Sequence, residues 1–516
     1  MATEKYEKHL LYNSLAILLK AVEKQRTTVD LRNEASIYGV VEEVDGTVKW
    51  YISTPISAHK HVPGRAFLLT NISVHVNSYQ YSSKTFCVVK RNMNMFKLAD
   101  YDCIGFDLDN TLVRYKVTDL MHMEYEILAT FMVNKRGYNK KLLEPLTDND
   151  LDFMQKGLVL DFERGNILKL GLDGIIHKAC HGTHLLNKDQ IKEIYPEQKW
   201  EVTDIFCSNA QALMETWNGP LSQKMRSVLD YFDIPASLVF ARAVDILDEE
   251  CESHQDKYNI WPDILDGMIY MFSIDHFELD KGIFGHVKKN PEKYLHKANI
   301  TAIISWLQQI EPKPVTFLLT GSNIDYVNFI ATYALGEKWQ SIFDIVICFA
   351  KKPGFFTTDR PFLEVVQNKK TDIISQHLQK GKIYSQGNWK DLHKFFSFTT
   401  GKKNPQCLYI GDNLVQDVYV PNAFTYCDTI SIVEEVMSEK KDNCMDLCCK
   451  QYPDKKILNS KLWGSYFCLT DLKTNVDTFW GYIIKKHSKL CVSCIDEILT
   501  IAVDKSFPCF DKYKKS

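Results

Sequence analysis

The run Cys103-Ile104-Gly105-Phe106-Asp107-Leu108-Asp109-Asn110-Thr111-Leu112 begins as a short apolar stretch and ends in two carboxylates separated by one residue. An apolar run of this length, bounded by polar residues, is the pattern of a strand covered on both faces in a parallel sheet. Past the carboxyl end of such a strand the chain turns at the crevice where open α/β sheets bind ligands. Asp107 and Asp109 can both face that crevice. Two carboxylates there can hold a divalent cation and leave one free to attack phosphorus. An Asp-X-Asp pair alone suits a surface turn better, so the case depends on the other strands.

Residues 315–319, 343–348 and 407–410 are apolar runs of the same kind. The first ends in Thr320-Gly321-Ser322-Asn323, a hydroxyl followed by glycine, which can present hydroxyl and backbone N–H groups to a phosphate. The second runs into Ala350-Lys351-Lys352-Pro353-Gly354 and offers a cation. The third ends in Gly411-Asp412, with Asp417 shortly after. Each feature has an ordinary explanation in a turn, a solvated lysine or a helix cap. Acid pair, hydroxyl, lysine and acid pair in that order, at four strand ends, are hard to obtain by chance.

This order and spacing resemble the four motifs of the haloacid-dehalogenase superfamily. Within it the similarity points to the purine 5'-nucleotidase-like branch, in particular the 5'-nucleotidase domain-containing proteins. Supporting strings are Gly165-Asn166-Ile167-Leu168-Lys169-Leu170, His181-Gly182-Thr183, Lys352-Pro353-Gly354-Phe355-Phe356, Tyr384-Ser385-Gln386-Gly387-Asn388 and Trp463-Gly464-Ser465-Tyr466-Phe467. The resemblance runs from about residue 100 to the C-terminus. It implies a doubly wound α/β core with a parallel sheet and a large inserted cap. It also implies a magnesium-dependent phosphohydrolase acting on a small phosphorylated substrate, a nucleoside monophosphate.

Carried over residue by residue, Asp107 is the nucleophile that forms an aspartyl-phosphate. Asp109 protonates the leaving oxygen and then activates water. Mg2+ sits on Asp107, the backbone carbonyl of Asp109, and Asp412, with Asp417 supporting it from behind. Thr320 and Lys352 hold the phosphoryl oxygens, and Ser322 is a further candidate for that task. In purine nucleotidases an aromatic follows the cap's His-Gly pair and stacks on the base. Here that position is Thr183, and Asp245 falls where the family has an acidic cap residue.

The segment from about 115 to 310 is too long for a loop and reads as the inserted cap, between core pieces 99–114 and 311–435. Residues 436–516 form a C-terminal extension, and its lysine-rich 436–460 part reads as a mobile loop. Ahead of residue 99 the grammar differs. Residues 6–24 have helical spacing, and short β-type runs follow at 27–31, 36–44, 48–52, 67–76, 84–89 and 93–98. One helix and about five strands in that length fit a small open barrel. The strings at 13–49 and 87–98 resemble the two motifs of an Sm-like protein, nearest the Sm-like subunit of the particle that processes histone pre-mRNA. That resemblance implies ring assembly and RNA contact. The positions of the usual base-stacking aromatic and base-bonding asparagine, however, hold Thr47 and Lys49, and Lys90 stands where the second motif normally has glycine. Lys49, Lys90 and Arg91 can contact phosphate without reading sequence.

Bulk properties narrow the class. A chain of 516 residues with 45% hydrophobic content has ample material for several cores. Its apolar runs are too short to cross a membrane. No signal-peptide pattern opens the chain, so a cytosolic or nuclear protein with free thiols is expected. Cys444, Cys448, Cys449, Cys491 and Cys494 do not follow a standard zinc spacing. Net charge is -3, with the first 98 residues basic and the remainder acidic, which suggests two modules with different partners. Two alternatives stand beside the hydrolase: a ribonucleoprotein ring subunit carrying a passenger domain, and a silent scaffold.

Overall fold

The computed structural model describes residues 38–44, 47–53, 77–81, 84–88, 95–208, 210–439, 458, 460–469 and 476–508. The chain forms two compact units, Met1–Asn92 and Met93–Ser516. In the first, β1 (Tyr38–Val44) pairs antiparallel with β2 (Thr47–Ser53), and β3 (Asn77–Tyr81) with β4 (Lys84–Val88). Lys49 lies on β2. The expected helix at 6–24, the strands at 27–31 and 67–76, Lys90 and Arg91 lie outside the described residues, as do Cys444, Cys448 and Cys449. The barrel therefore stays an expectation.

The second unit opens with β5 (Met95–Phe96), which was read above as part of a barrel strand. It pairs instead with Phe507–Pro508 near the C-terminus. Ala99 N–H also donates to Val503 O at 3.0 Å. Next comes β6 (Cys103–Phe106), an inner strand of a nine-stranded sheet.

Between β6 and its neighbours lies the long insertion. Helix α1 (Val117–Arg136) ends on Gly137, whose left-handed φ of 77° lets its N–H close on Met132 O. The insertion then builds its own antiparallel sheet in the order β10–β9–β8–β7–β11. These strands are β7 (Leu158–Asp161), β8 (Asn166–Leu170), β9 (Ile176–His181), β10 (His184–Leu185) and β11 (Met225–Val228). Helix α2 (Pro235–Cys251) follows.

The chain returns through β12 (Val315–Leu319) and β13 (Ile345–Cys348). The latter starts later than the apolar run suggested, because 339–342 closes a 3-10 turn that ends on Phe343. Next come the hairpin β14 (Phe362–Val366) and β15 (Lys369–Ile374), then β16 (Lys382–Gln386), β17 (Cys407–Gly411) and β18 (Asp428–Ile432). Helix α3 (Phe479–His487) and a last strand, Leu490–Val492, complete the sheet.

Sheet order is β15–β14–β16–β13–β12–β6–β17–β18–(Leu490–Val492). Every pairing from β16 to the last strand is parallel, while the β14–β15 hairpin is antiparallel. After β6 the chain winds to one side through β12, β13 and β16, then to the other through β17 and β18. The crevice at the carboxyl end of β6 is thus the point where winding reverses.

Side-chain alternation splits the core between the two faces. Ile104, Phe106, Leu318, Val346, Leu408 and Ile410 join one apolar cluster. Cys103, Phe317, Leu319, Ile345, Ile347 and Tyr409 join the other. These strands are almost wholly apolar because both faces are covered; Thr316 of β12 is buried with its hydroxyl donating to Ile342 O. Gly105 is required by its neighbours. It lies level with Phe317 on one side and Tyr409 on the other, and a Cβ there would come within 2.0 Å of the Phe317 ring. The two rings stack at 6.0 Å over the missing side chain. Among the described residues no helix is long and apolar enough to cross a membrane.

A candidate active site at the carboxyl ends of the central strands

Asp107 follows β6 directly, and its N–H bonds to Ile410 O at 2.9 Å, which ties the turn to β17. Its carboxylate Oδ1 accepts from Lys352 Nζ at 2.9 Å. The same ammonium donates to Asp417 Oδ1 at 2.6 Å and to the Tyr409 hydroxyl at 3.2 Å. All of these groups are buried, so the ammonium sits among oxygens rather than water. Lys352 is accordingly held in its charged form.

Asp109 faces a different set of partners. Tyr115 donates to its Oδ1 at 2.8 Å and Ser322 to its Oδ2 at 2.8 Å. Thr320 approaches Oδ2 at 3.4 Å, and its Oγ1 also accepts the Ser322 N–H at 3.1 Å. Asn110 takes a left-handed φ of 52° in the turn, a conformation asparagine tolerates better than most residues. Burial raises both carboxyls: Asp107 goes to about 8 although Lys352 opposes the rise, and Asp109 rises although Ser322 and Tyr115 oppose it.

Asp412 stands at the end of β17, buried and shifted well upward by burial first and then by the Asp230 and Asp107 charges. Asp417 lies in a π-helical turn, 414–419, where its Oδ2 accepts the Asn413 N–H at 3.1 Å. Gly411 makes this turn possible, since a Cβ there would meet Asp417 Cβ at 2.5 Å. One oxygen each of Asp107, Asp412 and Asp417 lies within 4.8 Å of the others.

The four strand ends read from sequence therefore meet in one place. Asp107, Asp412, Asp417 and Lys352 form one cluster, and Asp109, Thr320 and Ser322 form an adjoining one. Three further participants carried no sequence signal of comparable strength. Asp230, just after β11, bonds to Asn413 Nδ2 at 3.0 Å. Tyr115 holds Asp109, and Tyr409 bridges Lys352 and Leu319 O, the latter at 2.7 Å. Asp230 could have been flagged as an acid immediately after a strand; the two tyrosines could not.

The insertion's two candidates, Thr183 and Asp245, meet each other. Thr183 N–H donates to Asp245 Oδ1 at 3.0 Å, and its hydroxyl donates to Oδ2 at 2.6 Å. Gly182, at a φ of 52°, permits this, because a Cβ would fall 1.9 Å from Asp245 Oδ1. Asp245 is thus already engaged by the Thr183 backbone.

A buried cluster of acids around one lysine, at the reversal point of a parallel sheet, is the setting for phosphoryl chemistry, and the chain belongs to the 5' nucleotidase family, whose model matches residues 88–456. That membership makes it a phosphatase. Over 437 residues it is 32% identical to 5'-nucleotidase domain-containing protein 1 of Homo sapiens, covering 80% of this chain and 93% of the relative. The Bos taurus counterpart is also 32% identical, over 434 residues, with the same coverage. The similarity to 5'-nucleotidase domain-containing protein 2 of Rattus norvegicus is 26% over 333 residues, or 63% of this chain and 55% of that one.

Proposed function

We propose that this phosphatase is a magnesium-dependent phosphomonoester hydrolase of the haloacid-dehalogenase type. Its substrates would be nucleoside 5'-monophosphates, and it would work through an aspartyl-phosphate on Asp107. The observation that carries this reading is the buried Asp107–Lys352–Asp417 cluster beside a separately held Asp109. Sheet order and the long insertion after β6 support a core with a cap.

The acids also fit a divalent cation. Three buried carboxylates converge beside Lys352, Lys156 acts on Asp412 as a second positive charge, and Asp230 adds further negative charge nearby. Hard oxygen donors of this kind suit Mg2+: Asp107 and Asp412 would hold it by side-chain oxygens and Asp109 by its backbone carbonyl. Asp417, whose two oxygens accept from Lys352 and the Asn413 N–H, would support the set. A bound Mg2+ supplies charge neutralisation at the phosphate.

Asp107 attacks phosphorus, and its other oxygen is steadied by Lys352. Asp109 gives a proton to the leaving oxygen and then takes one from the attacking water. Tyr115 and Ser322 fix its two oxygens for both steps. Lys352 and Thr320 stabilise charge on the transferring group, while the hydroxyl of Ser322 is taken up by Asp109. Phosphate release from a panel of nucleoside monophosphates and sugar phosphates, with Mg2+ and with EDTA, tests the reading. Release that needs Mg2+ and vanishes in Asp107→Asn is expected. Undiminished turnover in that variant would overturn the covalent mechanism.

A further inference from the structure

A second constellation lies on the insertion, where β9 meets the end of α2 and the segment after it. His181 Nε2 is 2.9 Å from Asp248 Oδ2 and 3.0 Å from the Tyr258 hydroxyl. His254 Nδ1 is 2.6 Å from the same Asp248 oxygen. The two imidazoles meet edge to face with centroids 4.5 Å apart. One ligand atom each of His181, Asp248 and His254 lies within 4.8 Å of the others.

A chain of hydrogen bonds fixes how His181 is protonated. Tyr195 donates its hydroxyl proton to Asp161 Oδ2 at 2.6 Å, so its oxygen accepts from Asn166 Nδ2 at 3.0 Å. That orients the Asn166 amide with Oδ1 toward His181 Nδ1, at 2.8 Å. An amide oxygen only accepts, so His181 carries its proton on Nδ1. In the neutral ring Nε2 is then a bare electron pair aimed at a carboxylate oxygen. Tyr258 does not relieve this, because its hydroxyl donates to Asp248 Oδ1. His254 can satisfy Asp248 as a neutral donor, but His181 cannot. The position calls for a cation.

We propose that His181 Nε2, Asp248 Oδ2 and His254 Nδ1 bind a divalent transition metal, best matched by Zn2+, at a site separate from the strand-end carboxylates. Two imidazole nitrogens and one carboxylate oxygen, with a position left for water, form a donor set that Zn2+ favours over Mg2+. The Nδ1–H of His181 bonded to Asn166 is the support that metal-bound histidines characteristically have. Entry is open, since the His254 side chain is 78% exposed while His181 and Asp248 are mostly covered. Filled, the site clamps the end of β9, next to Thr183, onto α2, which carries Asp245.

The test uses the full-length chain after chelator treatment, titrated with ZnSO4 by calorimetry, with visible absorption of a Co2+-loaded sample as a second readout. Stoichiometric binding that persists in Asp107→Asn is expected, which separates this site from the strand ends. His254→Ala, at an exposed position, should abolish the Co2+ bands while leaving the circular dichroism unchanged. Asn166→Ala should weaken Zn2+ binding roughly 10–100-fold. Zinc binding that is indifferent to both His254→Ala and His181→Gln would overturn the proposal. So would an absence of binding accompanied by 15N shifts showing His181 protonated on both nitrogens. In that case the cation is a proton, and the cluster is an ion pair.

Discussion

Lys352 holds two acids, Asp107 at 2.9 Å and Asp417 at 2.6 Å, with no water-facing side. Removing it strands two buried carboxylates. Lys352→Met is therefore expected to lose roughly 3–5 kcal/mol of stability in urea unfolding, the usual result of breaking a buried pair from one side. Asp417→Asn in the same background should recover part of that loss, because it removes one of the stranded charges. Phosphate release by Lys352→Met should fall on the order of 10²–10³-fold, since a group that stabilises developing charge is gone. At this scale the sequence was most legible where chemistry sits directly on a strand end: Asp107, Thr320, Lys352 and Asp412. It was least legible where a side chain arrives from elsewhere. Nothing in the string around Tyr115 or Tyr409 says that one hydroxyl will find Asp109 and the other Lys352, for both contacts exist only after the sheet has assembled.

Among the elements, β6, β12 and β17 depend on one another through the row Phe317–Gly105–Tyr409. Gly105→Ala would push the Phe317 ring off its place and tilt Tyr409, whose hydroxyl accepts from Lys352. Overpacking of this kind is expected to cost about 1–3 kcal/mol by thermal or urea unfolding. Phosphate release should fall further than the loss of folded protein explains.

The end of α3 makes a prediction about acid. His487 packs edge-on against Tyr419 at 4.9 Å and bonds through Nδ1 to Asn422 at 3.0 Å. A helix C-terminus ordinarily favours a protonated histidine. Burial wins here, with the Lys486 charge assisting, and the ring is pushed down to about 4. Between pH 6.5 and about 4 the unfolded chain binds a proton that the folded chain refuses, so stability drops as pH falls through that window. His487→Phe should lose stability at every pH but show a shallower decline across it, measured as urea midpoints from pH 7 to 4.

Short apolar runs at 103–106 and 315–319 matched strands residue for residue, because burial on both faces leaves no ambiguity in them. The β14–β15 hairpin was not legible. Its turn uses Gln367 and Asn368, both at positive φ, without the Asn-Gly or Asp-Gly pair that usually announces it, and the β15 face is largely exposed.

For the molecule as a whole, the family match begins at residue 88 and the compact second unit at Met93. All site residues named above for phosphoryl transfer belong to that unit. A protein comprising residues 93–516 is therefore expected to fold cooperatively and to release phosphate from nucleoside monophosphates at the rate of the full chain. A large loss of activity in the shortened protein would give the first unit a part in catalysis. The change in charge and strand grammar near residue 98 suggests two modules, and β5, just ahead of that point, finds its partner at the far end of the sequence, at 507–508.

The position of β6 has a consequence for biosynthesis. This inner strand leaves the ribosome before either neighbour, since β12 begins at Val315 and β17 at Cys407. At roughly 5–20 residues per second, β17 follows β6 by about 15–60 s. For that interval the nascent chain carries an apolar strand with a hydrogen-bonding edge that its own sequence cannot yet cover. A chaperone that shields such edges would serve this protein during translation, and slowing the ribosome would lengthen the exposure.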